Sequence, residues 1–234
     1  MVEFVKYRPT DKMIDLIRNN YALLQVMSRF GLSLGFGDKT VQEVCKMNDV
    51  DCSTFLTVVN FVEEGFSRID DTEDSISVPA LLEYLRQAHS YFLDFSLPII
   101  RRKLIDAIDC SESEVSLLIL RFFDEYVKEV RKHMEYEEKT VFKYVEALLR
   151  GEVPKNYQIS TFSKHHDKIS EKLTELKNII IKYCPPKANT ISLNAALFDI
   201  YACEEGLDSH CEIEDYLFVP AIMKLERRIG NNEK

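Results

Sequence analysis

Four of the five histidines in this chain fall into two pairs with the same internal spacing. His89 and His133 are 44 residues apart, and His166 and His210 are separated by the same interval. The second pair repeats the first after 77 residues. Because imidazole nitrogen is a good ligand for iron, zinc and copper, a regular array of histidines indicates metal chemistry.

The later histidine of each pair is followed four residues on by a glutamate, in His133–Glu137 and His210–Glu214. Positions i and i+4 of an α-helix share one face, so two helices each present an imidazole beside a carboxylate. Two more helices each supply one imidazole. Four imidazoles and two carboxylates fit two ions that share the carboxylates, with coordination positions left for a solvent-derived oxygen bridge and an external small ligand.

Each of these residues also has a plainer interpretation. A lone helical histidine usually lies at the surface or in a satisfied core, and a lone His-x3-Glu pair usually faces solvent, where it contributes a few tenths of a kcal/mol. The repeat on four separate helices favours a metal site. It also selects His166 over His165, which lies about 100° around the helix. Asp167 and Glu212 are candidates to orient ligating imidazoles.

The elements that must position these residues are predicted to be helices. Only 7 Gly and 7 Pro occur in 234 residues, and no strand pattern is present, so the fold class is all-α. The ligand helices are predicted near residues 78–109 with a kink or end at Pro98, near 112–149, near 159–183, and near 190–228 with a stop at Gly230. Short connections predict an up-down-up-down four-helix bundle.

A small helical unit precedes the bundle. Asp11 is the predicted N-cap of its first helix, and Thr40 and Glu43 have capping-box spacing. A third helix is predicted from Asp51 and Cys52 to about Glu64. The acidic stretch after it has no periodicity. The predicted organisation is a helical N-terminal domain at 1–66, a linker at 67–77 and the bundle with its two-metal site at 78–234.

Charge and composition narrow the partners and the compartment. A net charge of −9 argues against nucleic acid, since phosphate binding needs clustered Lys and Arg. No apolar run is long enough to span a bilayer, and Met1–Lys6 does not begin a signal peptide, so we expect a cytoplasmic protein without a membrane partner. The six scattered cysteines are expected to be free thiols or small buried residues. A homodimer is one assembly that the sequence leaves open.

The motifs resemble those of hemerythrin-like di-iron proteins and, more narrowly, of the RIC (repair of iron centres) family. The resemblance rests on Ala88-His89-Ser90-Tyr91 with Leu97-Pro98, on His133-Met134-Glu135-Tyr136-Glu137-Glu138, on His166-Asp167, and on His210 and Glu214 with Pro220. It implies that the four histidines are terminal ligands and that Glu137 and Glu214 are bridges. Lys143 stands where the family often has Pro.

The N-terminal unit resembles the small domain that precedes the RIC bundle, over Phe30–Leu34 and Lys39–Cys45. Gly35-Phe36-Gly37-Asp38 replaces the family's Cys-Cys-Gly-Gly run, so those paired thiols are absent.

The resemblance implies a cytoplasmic protein with two iron ions, a non-haem di-iron centre with an oxo or hydroxo bridge. Its role would be to restore iron–sulfur clusters damaged by oxidative or nitrosative stress, with the damaged proteins as clients. The alternatives are a reversible O2 or NO carrier or sensor of hemerythrin type, and a structural bundle that binds adventitious zinc. Whether the protein is an enzyme stays open.

Overall fold

A computed structural model of the chain describes residues 6–64, 76–108, 114–152, 154, 157–163, 171–184 and 188–232. Helices dominate these residues and confirm the predicted all-α class. Within the described ranges the one extended pairing is an isolated antiparallel bridge between Lys12 and Thr40. None of the described helices has both the length and the apolar character needed to cross a membrane.

Four helices form the N-terminal part, namely α1 (Met13–Asn19), α2 (Leu23–Arg29), α3 (Val41–Met47) and α4 (Cys52–Glu64). The predicted capping box is present, because the Thr40 side chain accepts from the Glu43 backbone N–H while the Glu43 carboxylate accepts from the Thr40 N–H. The N-cap predicted at Asp11 is wrong. Lys12 precedes α1 instead, and the Asp11 carboxylate accepts the Arg8 backbone N–H at 2.7 Å.

The ligand-bearing helices contain short π-helical segments. The elements are α5 (Val78–Ser90), π1 (Tyr91–Ser96), α6 (Leu97–Ala107), α7 (Glu114–Tyr136), π2 (Glu137–Val141), α8 (Phe142–Leu149), α9 (Ile159–Ser163), α10 (Glu171–Tyr183), α11 (Thr190–Ile213), π3 (Glu214–Phe218) and α12 (Val219–Asn232). The predicted stop at Gly230 is wrong, since α12 continues through it to Asn232. A glycine ends a helix by taking the left-handed conformation, and Gly230 does not have a positive φ.

Pro98 lies inside a continuous helical stretch because π1 precedes it. In π1 the hydrogen bonds span five residues, and the Leu97 N–H donates to the Phe92 carbonyl. Pro98 then occupies the first turn of α6, where a missing N–H costs little. Pro220 has the corresponding place as the second residue of α12, after π3. The kink or end that the sequence predicts at Pro98 is therefore a local change of helical pitch.

Lys143 takes the same position after π2, as the second residue of α8. Lys143→Pro is therefore expected to leave the free energy of unfolding within about 1 kcal/mol of the parent, because proline is tolerated in a first turn. Lys128→Pro is the matched control, at an exposed lysine inside α7. It should cost about 3 kcal/mol or more. Urea denaturation followed by circular dichroism measures the free energy of unfolding of both variants. Equal losses of stability would contradict the view that Lys143 occupies the same position as Pro98 and Pro220.

Tertiary contacts divide the chain into two compact units. One contains Met1–Ala88, Val145–Ser163 and Glu212–Lys234, and the other contains His89–Tyr144 and Lys164–Cys211. In the first unit α2 and α3 pack on α4, and α12 packs on α9. In the second unit α6 and α10 pack on α7. The domains predicted at 1–66 and 78–234, with a linker at 67–77, remain a prediction, and most of that linker lies outside the described residues.

Two buried tyrosines differ in whether their hydroxyls are satisfied. Tyr84 is 1% exposed and its hydroxyl accepts a hydrogen bond from Arg29 Nη1 at 3.2 Å. Tyr126 is 2% exposed, and its hydroxyl has no hydrogen-bond partner among the described residues. Burial raises the pKa of Tyr126, so the neutral hydroxyl is the buried form. A buried polar group left unbonded costs about 1–3 kcal/mol.

Tyr126→Phe is therefore expected to stabilise the protein by about 1 kcal/mol, because the substitution removes an unsatisfied hydroxyl. Tyr84→Phe removes a satisfied one and should destabilise by about 1.5–3 kcal/mol, the usual range for a hydrogen bond to a charged group. The midpoint of urea unfolding of the metal-free protein measures both changes. A loss of stability in Tyr126→Phe would indicate that its hydroxyl bonds a water or ligand in the interior.

Candidate metal centre

The Glu137 carboxylate lies between two imidazoles, one against each of its oxygens. Glu137 Oε2 is 3.0 Å from His89 Nε2, and Glu137 Oε1 is 2.8 Å from His133 Nε2. Glu137 is fully buried, while His133 keeps 16% of its side chain exposed. Two ligand atoms at about 2.1 Å from one ion and at right angles to each other lie about 3 Å apart. Each oxygen–nitrogen pair therefore has the separation of neighbouring ligands of one ion.

A second imidazole lies beside that of His89. His89, Glu137 and His210 are all buried, and each offers a ligand atom within 4.8 Å of the others. The His89 and His210 rings meet edge to face, with centroids 5.1 Å apart. His133 contacts the opposite oxygen of Glu137. His89 and His210 are thus neighbouring imidazoles, while His133 and His89 face different oxygens of Glu137.

Glu214 follows His210 by one turn of the same uninterrupted helix. Both side chains are 0% exposed. A carboxylate in an apolar interior is costly unless a cation or hydrogen bonds compensate its charge. The burial of Glu214 therefore suits a carboxylate that binds a cation.

Each described ligand helix changes pitch at its ligand or within two residues of it. π2 begins at Glu137, π3 begins at Glu214, and π1 begins two residues after His89. In π2 and π3 the ligand's own carbonyl accepts a five-residue hydrogen bond, from Phe142 N–H to Glu137 O and from Val219 N–H to Glu214 O. π-helical turns are rare and are frequently found at functional sites. Three of them at three ligand positions mark this region as a site.

Opposing effects act on the pKa of Glu137. Burial alone would raise that pKa, but hydrogen bonds and charge interactions with His133 and His89 hold it well below its usual range. The carboxylate is consequently ionised in the folded protein. An ionised glutamate can bind a cation without first losing a proton.

A further glutamate contacts a candidate ligand from outside. Glu138 Oε1 lies 3.1 Å from His89 Nδ1, the nitrogen opposite the one that faces Glu137. A carboxylate on the second nitrogen of a ligating imidazole fixes its tautomer and orientation. The stacked Phe142 ring, 5.2 Å from the His89 ring, restricts the imidazole further. The sequence did not assign this role to Glu138. Of the two residues it did suggest, Glu212 is exposed and Asp167 lies outside the described residues.

Glu138→Gln is expected to weaken metal binding about 10–100-fold, the usual effect of removing the outer partner of a ligating histidine. The matched control is Glu135→Gln, which alters an exposed carboxylate that pairs with Lys139 at 2.7 Å on the surface. It should leave the affinity unchanged. Competition with a chromogenic chelator under anaerobic conditions gives both affinities. Equal affinities for the two variants would show that the Glu138 contact does not orient His89.

The predicted ligands are not all covered by the described residues. The structure brings together His89, His133, Glu137 and His210, and places Glu214 one turn beyond His210. His166 and its neighbour His165 lie outside the described residues, so the complete set of six stays a prediction. The described nitrogen and oxygen donors suit iron or zinc better than copper(I), which prefers sulfur.

Comparison with known proteins agrees with this donor set. Residues 80–222 match the family described as the hemerythrin HHE cation-binding domain. This range includes every candidate ligand and all three π segments. A search of curated proteins finds no match.

Proposed function

Because the chain belongs to the hemerythrin HHE cation-binding domain family, we propose that it holds two iron ions in its helical bundle. The observation that supports this best is the position of Glu137, whose two oxygens each face a different imidazole nitrogen at 2.8–3.0 Å. A carboxylate that served a single ion would not need a separate histidine at each oxygen. The proposed ligands are His89, His133, His166, His210, Glu137 and Glu214.

The geometry around Glu137 supports an assignment of the histidines to two positions. His89 and His210 lie together, with ring centroids 5.1 Å apart, so they would serve one ion. His133 lies on the Oε1 side and would serve the other ion. His166 is assigned to this second position because it repeats His89 after 77 residues and the first position already has two imidazoles. Glu137 and Glu214 would bridge.

The chain's own residues would hold, orient and shield the irons. When bound, the two irons would supply redox chemistry and a binding position for O2 or NO. Glu138 would fix the His89 ring, and the buried aromatic rings of Phe92 and Phe142 lie beside His210 and His89. These apolar groups exclude water from the His89 side of the centre, while His133 is partly exposed. The partly exposed His133 would mark the route by which a small molecule or a metal ion enters.

The proposed role is the repair of iron–sulfur clusters in the cytoplasm under oxidative or nitrosative stress, with iron as the cargo. The likeness of the ligand motifs to the RIC family supports this proposal. The buried His89 side and the more open His133 side add support, since a partly exposed ligand position can release an ion more easily than a closed one. The clients would be proteins with damaged clusters.

Transfer of iron to a damaged cluster tests the role. A [4Fe–4S] protein damaged by NO is mixed anaerobically with the iron-loaded protein, a thiol and sulfide, and recovery of the cluster absorbance is followed. We expect recovery at least several times faster than with the same concentration of free Fe(II). Equal rates would contradict repair. The iron content of the parent and of Glu137→Gln is measured in parallel. A parent that carries iron but does not speed recovery has failed in transfer, whereas a parent as poor in iron as Glu137→Gln has failed in iron binding.

A reversible O2 or NO carrier or sensor is the second candidate, favoured by the N-terminal loop. Gly35 and Gly37 have φ angles of 87° and 64°, and Phe36 between them is buried. The stretch that replaces the Cys-Cys-Gly-Gly run of the RIC family is therefore a turn that buries one aromatic ring. Stopped-flow spectra of the reduced protein with O2 and NO discriminate the functions. Stable, reversible adducts support a sensor, whereas rapid formation of N2O supports an NO reductase.

A further inference from the structure

A cavity of about 560 Å³ lies in the N-terminal part of the chain. All of its lining residues fall between positions 29 and 87, within one compact unit. The wall is formed by the end of α2, the loop between α3 and α4, and one side of α5. Its volume is typical of small-molecule sites, which occupy about 300–1,000 Å³. None of the candidate metal ligands lines it, so it is a site distinct from the proposed iron centre.

The two helix ends in this wall are fixed by Schellman caps. At the end of α2 the Leu32 N–H donates to the Met27 carbonyl at 2.9 Å. At the end of α3 Asp49 has the left-handed conformation with φ 56°, and the Val50 N–H donates to the Cys45 carbonyl at 2.9 Å. A wall held by its own hydrogen bonds keeps its shape without a ligand. Such a preformed cavity reduces the entropy that is lost on binding.

Arg29 supplies the positive charge of the cavity wall. It is 4% exposed, and its guanidinium donates to the Tyr84 hydroxyl and to Gln25 Oε1, each at 3.2 Å. The guanidinium carbon also lies 5.8 Å from the centre of the Tyr84 ring. These contacts orient the guanidinium, whose planar fork matches the two oxygens of a carboxylate. A carboxylate is therefore the ligand group that suits this part of the wall.

Three carboxylates also line the cavity, and one of them has a structural role. Asp51 accepts the Thr54 backbone N–H at 2.7 Å and so caps α4. Asp49 is exposed at the end of α3, and Glu83 is exposed on α5, where its Oε1 accepts from Gln87 Nε2 at 2.7 Å. Asp49 and Glu83 are thus the two carboxylates of the wall that do not cap a helix. An ammonium group is a suitable partner for each.

We propose that this cavity binds an α-amino acid with a cationic side chain, such as lysine. The α-carboxylate of the ligand binds Arg29, and its two ammonium groups bind Asp49 and Glu83. One cation and two anions of the wall then meet one anion and two cations of the ligand. The methylene chain of the ligand packs on the apolar part of the wall, which includes Val50 and Ala80. A neutral amino acid leaves one carboxylate unmatched, and a diamine makes no use of the guanidinium.

Isothermal titration calorimetry of the full-length protein with L-lysine tests the proposal. We expect saturable binding with a Kd below about 1 mM. Three analogues each lack one charged group of lysine, namely cadaverine the carboxylate, norleucine the side-chain ammonium and 6-aminohexanoate the α-ammonium. Each should bind at least about ten-fold more weakly, because a charge-assisted hydrogen bond is lost. Absence of saturable lysine binding would overturn the proposal, as would an analogue that binds as tightly as lysine.

Charge-neutralising variants test the two carboxylates. Asp49→Asn introduces a residue that tolerates the left-handed conformation, and Glu83→Gln keeps an oxygen that accepts from Gln87. Each variant should weaken lysine binding about ten-fold. The matched control is Asp38→Asn, which alters an exposed carboxylate of the same unit outside the cavity wall. It should leave the affinity unchanged, and equal affinities for the three variants would overturn the proposal.

A larger side chain at Ala80 tests the cavity without a change of charge and without disturbing the buried hydrogen bonds of Arg29. Ala80 is half-buried in the first turn of α5 and lines the cavity. Ala80→Phe should abolish measurable lysine binding while circular dichroism shows the helix content of the parent. Ala22→Phe, at an exposed alanine just before α2, is the control and should bind lysine like the parent. Lysine binding that persists in a folded Ala80→Phe protein would overturn the proposal.

Discussion

Glu137→Gln is expected to abolish the rise in thermal stability that Fe(II) gives to the parent protein. A site that binds metal only in the folded state stabilises it by about 2.7 kcal/mol when free metal exceeds the Kd 100-fold. Two such sites give about 5 kcal/mol, which for a chain of this size corresponds to a Tm increase of roughly 10–20 °C. Glutamine keeps the shape of Glu137 but removes the negative charge that both proposed ions share. Both sites should therefore be lost together.

Scanning calorimetry under argon, with and without Fe(II), measures this effect, and metal analysis of the same samples gives the iron content. Glu135→Gln is the control, since it alters a neighbouring exposed carboxylate that bonds Lys139. The control should keep the full Tm increase. If Glu137→Gln kept more than half of the increase, Glu137 would not be a shared ligand. Circular dichroism of the metal-free Glu137→Gln protein checks that the variant is folded. A missing Tm increase then reports the loss of metal binding and not a loss of structure.

The candidate ligands were predictable because helices have a fixed period. His133 and Glu137, four residues apart, had to share a face once the segment was helical, and the structure places their side chains 2.8 Å apart. The fold class followed from the scarcity of Gly and Pro and the absence of strand patterns. Both inferences need only local geometry, which the sequence specifies well.

The features that the sequence did not predict depend on departures from regular geometry or on contacts between helices. In a π segment the backbone hydrogen bonds span five residues instead of four. No residue type in Glu137–Val141 predicts this change. Pro98 and Pro220 were the available signal, because each follows a π segment. The role of Glu138 depends on His89, which lies 49 residues earlier on another helix. A periodic pattern within one helix carries no information about that contact.

The cysteines agree with what the sequence predicted for them. The six were expected to be free thiols or small buried residues. None of the five described cysteines forms a disulfide, and Cys45, Cys203 and Cys211 are buried.

Single histidine substitutions are expected to remove one iron at a time. His210→Ala removes a ligand from the side shared with His89, and His166→Ala removes one from the proposed side of His133. Each variant should bind about one iron per chain where the parent binds about two, because the remaining position keeps both of its imidazoles and the carboxylates. The double variant should bind almost none. Anaerobic reconstitution with Fe(II), desalting and metal analysis give these values.

His165→Ala is the matched control for His166→Ala, since the two histidines are adjacent in sequence and would differ by about 100° in direction on the predicted helix. It should retain about two irons per chain. Loss of iron in His165→Ala with retention in His166→Ala would overturn the argument from the 77-residue repeat. Loss of both irons in His210→Ala would instead show that the two positions fill cooperatively, so that the bridging carboxylates bind neither ion firmly alone. The pattern of stoichiometries therefore tests the assignment of histidines to sides separately from the existence of the centre.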